Sequence, residues 1–488
     1  MKKILYIIPL IATLLTTTSC EDFLNITPEG QAKRDELLLT TEGLEEAMYG
    51  VYAQLRSTTL YGQELHFHTL EIMAHNMYCD GHTTLTALGN FEYDNTDVKS
   101  IFESIWTAMY KNISNVNSVL NSPLIVDATK FPYTIYKGEA LGLRAFMHFD
   151  LVRLFAEQYT LNPKANGIPY ATEFSLNTPE FESLEKNYEH ILADLLEAEK
   201  LLAEEEKYEG EGNYMLDRQI HLNKYAVKAT LARVYLTMGN KDKAAQYAKE
   251  VIDGGKYYLK EMTEVKDDLA GVLSVKECIF GVYHPSFYTT VSEKLQKTTT
   301  RYSLDLRPDF KDIYNRDRLG NDYRLNSYFS TATLGSEQVD RLCKLTDVYE
   351  LNNNVGDRPL ELILGINMIR IPEMYYIMAE VLLEEDAAQA LEYYNAVRTH
   401  RGLEPLPTEV VDEETGEVVN RPLTLQHINE ERYKEYFGEG QLFFNMKRLN
   451  LDGTVFDNTV THKGGVHAET GKKIYVVPIP DIEKENRY

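Results

Sequence analysis

Residues 222–253 read LNKYAVKATLARVYLTMGNKDKAAQYAKEVID, and their spacing decides the fold. Leu231, Ala232 and Tyr235 precede Gly239-Asn240, and Ala244, Ala248 and Val251 follow. These are the offsets of a tetratricopeptide repeat, in which small residues let two antiparallel helices approach closely. A second copy runs from Ile369 to Arg398: Met378, Ala379 and Leu382, a turn around Glu384 to Asp386, then Ala390, Tyr394 and Val397. A repeat unit cannot bury its apolar face alone, so neighbouring helices must stack on it.

Upstream stretches supply those neighbours. Thr40-Thr41-Glu42 opens a helix carrying Leu44, Ala47, Met48, Val51, Tyr52 and Leu55 on one face. From Val98 to Leu120, Phe102, Ile105, Trp106, Met109, Tyr110, Ile113 and Val116 recur at helical spacing, which puts the sole Trp on a core stripe. Lys137 to Phe155 and Tyr188 to Leu202 form another hairpin, joined through the extended turn Gly167-Ile168-Pro169-Tyr170, where a residue before proline avoids helical angles. Residues 259–365 lose this periodicity, with Pro, Gly, Asn, Asp and Tyr alternating and no sustained strand pattern. Long irregular segments are functional or disordered, and this aromatic content disfavours disorder. The expected fold is mainly α. Tetratricopeptide-like hairpins at about 41–258 and 369–488 form a scaffold within one domain, 41–488, and a loop-rich ligand-binding region at about 259–365 packs on it.

The amino terminus fixes the compartment. Lys2-Lys3, an apolar run from Ile4 to Leu15 and Thr17-Thr18-Ser19 before Cys20 describe an export signal too short to span a membrane. Cys20 after small residues resembles a bacterial lipoprotein box, so residues 1–19 are expected to be removed, Cys20 acylated, and residues 20–40 to act as a tether. A net charge of −25 argues against nucleic acid, which needs Lys and Arg to neutralise phosphate. Cys79, Cys278 and Cys343 lie far apart without a CxxC pair and imply no disulfide framework, though one pairing among them stays open.

There is no phosphate-cradling loop, dinucleotide fingerprint or nucleophile elbow. His66, His68, His75 and His82 cluster with Cys79 and Asp80, but without metal-ligand spacing. Asn315, Asp317, Gly320 and Asp322 faintly resemble a calcium loop that lacks its closing Glu, so no cofactor is expected beyond this calcium reading. Arg370, Glu373, Glu380 and Arg398 fall among core residues and read as ion pairs that fix helix packing. Glu431, Arg432 and Glu439 read the same way, because no nucleophile or metal motif accompanies them.

Four ordered patterns carry a wider resemblance: Leu143 to Phe155 with Gly167-Ile168-Pro169-Tyr170; the hairpin Ala226 to Asp253; Arg370 to Glu380 leading to Asn395-Ala396-Val397-Arg398; and Ile428 to Arg432 with Glu435, Gly438-Glu439-Gly440, Phe443-Phe444 and Lys447-Arg448. With the tail Val477-Pro478-Ile479-Pro480, they resemble the SusD-like (RagB/SusD) outer-membrane nutrient-binding lipoproteins across nearly the whole mature chain. The resemblance implies a non-catalytic protein, lipid-anchored at the outer membrane and facing outward, that binds an oligosaccharide and passes it to a SusC-like TonB-dependent transporter. Peptide ligands, a secreted hydrolase on a helical scaffold and a purely assembling repeat scaffold remain alternatives. Sugar rings lie against aromatic faces while their hydroxyls need polar partners. On that ground the binding residues expected are Phe91 and Tyr93 in the early loop, and Tyr283, Tyr288, Tyr302, Tyr323 and Tyr328 in the irregular segment, with Arg324 and Asn326 as polar partners.

Overall fold

A computed structural model describes residues 36–175, 177, 179–261, 273–295, 303–316, 320–334, 336–345, 363–411, 417–451, 462–463, 466–467 and 473–485. Ten helices carry the scaffold: α1 Thr41–Leu55, α2 Thr96–Leu120, α3 Tyr133–Phe155, α4 Leu184–Leu202, α5 Lys224–Thr237, α6 Lys241–Asp253, α7 Ile371–Val381, α8 Ala387–His400, α9 Leu425–Tyr436 and α10 Leu442–Leu449. Each of the first seven packs on the next, and α9 lies against α7. The signal, Cys20 and most of the tether fall outside the described residues.

Local chemistry sets the hairpin turns. Asn223 caps α5, its side chain accepting from the backbone N–H of Tyr225 at 2.9 Å and Ala226 at 3.0 Å. Gly239 then takes φ +76°, a region strained for any other residue, and Asn240 caps α6 by accepting from the Lys243 N–H at 3.1 Å. Ala226, Ala229, Ala232, Ala244 and Ala248 are fully buried, so α5 and α6 meet closely. In the second copy Asp386 caps α8, accepting from the Gln389 N–H at 3.0 Å. The helices α3 and α4 begin at Tyr133 and Leu184, a turn earlier than the spacing indicates, because a first turn contributes too little to the apolar stripe.

The helix α7 packs directly on α6 although residues 254–370 separate them in sequence. Strand β1, Cys278–Tyr283, closes this excursion by pairing antiparallel with β4, Gly365–Arg370, which runs straight into α7. Between them lies a hairpin of β2, Phe329–Leu334, and β3, Glu337–Leu342. The expectation that this segment holds no strand pattern is therefore corrected. Cys278 to Val282 are all buried, so β1 shows a continuous apolar run where a half-exposed strand would alternate. Asn223 also ties β1 to the scaffold, donating to the Ile279 carbonyl at 2.8 Å, while Phe280 packs edge-on against Phe146 of α3.

A buried carboxyl joins the early loop to the C-terminal helices. Glu71 accepts from the Gly440 N–H at 2.8 Å and from Asn76 Nδ2 at 2.7 Å. Gly440 holds φ +69°, and a Cβ there would sit 2.5 Å from the Leu65 carbonyl oxygen. Burial pushes Glu71 up to about 7 in spite of these bonds. A raised carboxyl contributes stability that is present at low pH and lost as pH rises through about 7. The Asn76 Oδ1, buried and unpaired among the described residues, can turn to meet an amide. Glu71→Gln should therefore match the parent near pH ~5 and exceed it by roughly 3 kcal/mol above pH ~8 in denaturant titrations. Equal stability of the two proteins at both pH values would contradict this.

A candidate ligand face between the early loop and the insertion

The early loop and the first half of the 259–365 insertion form one surface. Met77 pairs with Leu306 and Tyr78 with Asp305, and the Arg307 N–H donates to the Asn76 carbonyl at 3.0 Å. The Leu304 N–H reaches the Lys294 carbonyl at 2.7 Å, which brings in the helix Phe287–Leu295. Phe287 in turn packs edge-on against His66 and Phe67 at 5.8 and 5.9 Å between centroids. On this surface Tyr283 is 45% exposed and Tyr288 is half-buried. Tyr78, which a two-residue strand leaves no period to mark in the sequence, is half-buried where it pairs with Asp305.

Other expected residues are placed differently. Phe91 and Tyr93 are 4% and 6% exposed; Phe91 packs on His75, and the Tyr93 hydroxyl donates to the Ile474 carbonyl. They brace the early loop from within and present no aromatic face to solvent. Tyr302 lies outside the described residues. Tyr323, Arg324, Asn326 and Tyr328 form a separate group on the short helix Tyr323–Tyr328, which is tied to the end of α8 by the Tyr323 N–H donating to the Arg401 carbonyl at 3.0 Å. Asn326 is exposed and Tyr323 half-buried, whereas Arg324 is fully buried and Tyr328 is 7% exposed. Burial corrects the reading of Arg324 as a ligand partner, because its charge is already matched inside the protein.

Arg324 donates to Asp322 at 2.8 and 2.9 Å, to Glu431 at 2.7 Å and to Glu435 at 3.2 Å. Glu435 also receives Arg370 at 2.6 Å and Arg401 at 3.0 Å, and Arg401 bridges on to Glu277 at 3.0 Å. Lys344 pairs with Glu439 at 2.6 Å, Arg370 with Glu439 at 2.8 Å and Lys434 with Glu431 at 2.7 Å. Glu277, Asp322, Arg324 and Lys344 come from the insertion; the rest belong to the scaffold. Burial alone would raise the carboxyls, but Arg401, Arg370 and Arg324 hold Glu435 well below its ordinary range, and Arg324, Lys434 and Arg398 hold Glu431 near about 2. The pairs expected from sequence are present: Arg233 meets Glu373 at 2.6 Å, and Glu380 takes Arg448 at 2.6 Å together with Arg432. Arg401, Lys344 and Glu277 were missed, since their partners lie far away in sequence.

The histidines are dispersed into structural roles. His68 bonds Glu64 at 2.8 Å, His75 bonds the Gly89 carbonyl at 2.9 Å, and His82 caps the helix Thr83–Gly89. Among the described residues no group of three His, Cys, Asp or Glu is placed to hold a metal, and Cys278 is a buried free thiol. A cavity of about 500 Å3 opens elsewhere, between α2, the 169–179 turn and the C-terminal helix Asp481–Glu485. Trp106 and Tyr110 line it, but their polar atoms serve the fold: Trp106 Nε1 donates to Glu483 at 3.3 Å and the Tyr110 hydroxyl to the Pro169 carbonyl at 2.7 Å.

A family profile described as "Starch-binding associating with outer membrane" matches residues 22–236, and a second, described as the SusD family, matches residues 356–486. The chain belongs to the SusD-like family. A curated relative, the SusD-like protein P2 of Formosa agariphila, is 25% identical, and the alignment covers 99% of this chain and 97% of that protein. A crystal structure of a SusD superfamily protein from Bacteroides thetaiotaomicron superposes with a TM-score of 0.68 at 22% identity, covering 91% of this chain and 98% of the other. A laminarin-binding SusD-like protein gives a TM-score of 0.64 at 20% identity, covering 91% of this chain and 96% of that one. In this SusD-like chain, the hairpins legible in sequence are the family scaffold.

Proposed function

We propose that this chain is a non-catalytic, lipid-anchored receptor on the outer face of the outer membrane. It captures an oligosaccharide where the early loop meets the insertion and delivers it to a SusC-like TonB-dependent transporter. The proposal is carried by the joining of residues 77–78 to 305–306, which brings the early loop against the insertion segment that carries the exposed Tyr283 and the half-buried Tyr288, in a chain with SusD-like membership. Tyrosine offers a flat apolar face for sugar C–H groups and a wet hydroxyl for their oxygens, which suits a shallow site. The laminarin-binding fold relative and the starch-binding description of the family profile support a glycan over other nutrients. Lipidation at Cys20 would hold this face at the cell surface.

Calorimetry of the soluble mature chain against a glycan panel and a peptide panel tests the assignment. Binding is expected with a glycan. Tyr283→Ala and Tyr288→Ala should each weaken it roughly tenfold, in the range of an interface anchor, while Tyr328→Phe, altered only in the core, should leave it unchanged. Binding to peptides alone would reject the sugar reading, and unchanged affinity in both alanine variants would reject the face. Co-purification of a large barrel with the tagged lipoprotein tests delivery.

A further inference from the structure

A second, smaller cavity of about 60 Å3 lies where α3, α5, α7, α9 and α10 converge, at the seam between helices that precede the insertion and helices that follow it. Four guanidinium groups line it: Arg153, Arg233, Arg432 and Arg448. The first three are 7%, 4% and 5% exposed. Their carboxylate partners number fewer. Asp150 takes Arg153, Glu373 takes Arg233 through bonds of 2.6 and 2.7 Å, and Glu380 is shared between Arg432 and Arg448. One positive charge is left over in a region where an unbalanced charge is costly.

The hydrogen-bond inventory has the same sign. Arg153 Nε, Arg233 Nη1 and the Tyr436 hydroxyl are buried and have no partner among the described residues, and all three residues line the cavity. What is missing is an acceptor. The neighbouring amide oxygens already serve other guanidinium nitrogens, Gln441 Oε1 receiving Arg153 Nη1 at 3.5 Å and Asn445 Oδ1 receiving Arg448 at 2.8 Å, and neither reaches the three unpartnered donors. A water could accept from two of the donors but would bring two protons needing acceptors of their own, whereas a monatomic anion accepts from all three and donates nothing. The surrounding potential agrees. Burial and then the charge of Arg153 push the adjacent Lys447 down to about 7, and Arg448 is lowered by burial, with Arg432 acting in the same direction against Glu380.

We infer that this cavity binds one small monovalent anion of the halide class, held by Arg153, Arg233 and the Tyr436 hydroxyl. The excess of one charge favours a monovalent ion over sulfate or phosphate. Bound there, the ion joins α3 and α5 to α9 and so pins the scaffold across the point where the insertion interrupts it.

Crystals of the mature chain grown in bromide should give an anomalous peak in this cavity, within hydrogen-bond reach of Arg233 Nη1. In solution, chloride in place of gluconate at constant ionic strength should raise the melting temperature. Tyr436→Phe, which removes one donor and keeps every ion pair, should raise the half-effective halide concentration about tenfold, as expected for one hydrogen bond to a charged group. A cavity holding water alone, or equal melting in the two salts, overturns the proposal. A bromide peak without an effect in solution is binding at crystal concentration only and overturns it as well. An unchanged halide response in Tyr436→Phe removes that hydroxyl from the site.

Discussion

Glu435→Gln is expected to destabilise the protein by about 3–5 kcal/mol, because it withdraws the one charge shared by three buried arginines. The substitution keeps the volume and leaves Arg324, Arg370 and Arg401 with their other partners, Asp322, Glu431, Glu439 and Glu277. Those carboxylates are already engaged, so the uncompensated charge stays desolvated. Because Arg324 belongs to the insertion and Arg370 and Arg401 to the scaffold, the loss should appear first as detachment of the insertion. Limited proteolysis should cut within 259–365 at denaturant concentrations where α1–α6 are still protected. A variant within about 1 kcal/mol of the parent would show that Glu435 is not the keystone of the cluster.

Acid should unfold the protein steeply below pH ~4.5 and only gently above it. Arg448 and Arg432 overcome burial to hold Glu380 near about 2, Arg218 and His221 do the same for Glu139, and Glu431 stands at about 2 as well. Carboxyls with depressed folded values contribute stability that is present above the unfolded value, near ~4.5, and lost as pH falls through the folded one. Burial also lowers His66 to about 4 and His148 to about 3, so these imidazoles fold neutral and begin to cost stability once the unfolded chain takes up protons below ~6.5. Between pH ~7 and ~5 that cost is partly offset by Glu71, whose sign is opposite. Lower down nothing offsets the carboxyls, and the combined loss is on the order of 10 kcal/mol, comparable to the whole stability of a folded domain. Denaturant titrations at half-unit pH steps should show a shallow shoulder followed by collapse. In Glu71→Gln the shoulder should disappear. A profile level down to pH ~3 would contradict the assignment.

The helical hairpins were legible because their information is local. Ala232, Gly239, Asn240 and Ala248 each do at their own position what the spacing says, and so do Met109, Ile113 and Val116 along α2. Ion pairing at Arg370, Glu373, Glu380 and Arg398 could be anticipated from charges set among core residues, although the partners could not, since Arg233 finds Glu373 across 140 positions. The strand β1 was hidden by the unbroken burial of Cys278 to Val282, which erases the alternation that marks a strand. The candidate face was the least legible. Tyr, Asn and Arg occur throughout 283–328, and composition could not tell Tyr283, which meets solvent, from Arg324, which is fully buried as the hub of an ion cluster. Only the tertiary pairing of 77–78 with 305–306 joins two segments that are more than two hundred residues apart.

The ladder of β1 with β4 has a consequence for how such proteins diversify. By fastening the two ends of the excursion side by side, from Cys278 opposite Arg370 to Tyr283 opposite Gly365, it makes everything between them a cartridge with a fixed socket. Changes of length within it that spare the ion pairs of Glu277, Asp322, Arg324 and Lys344 need not displace α6 and α7, which already touch each other directly. Selection can thus vary the excursion while the chassis stays constant.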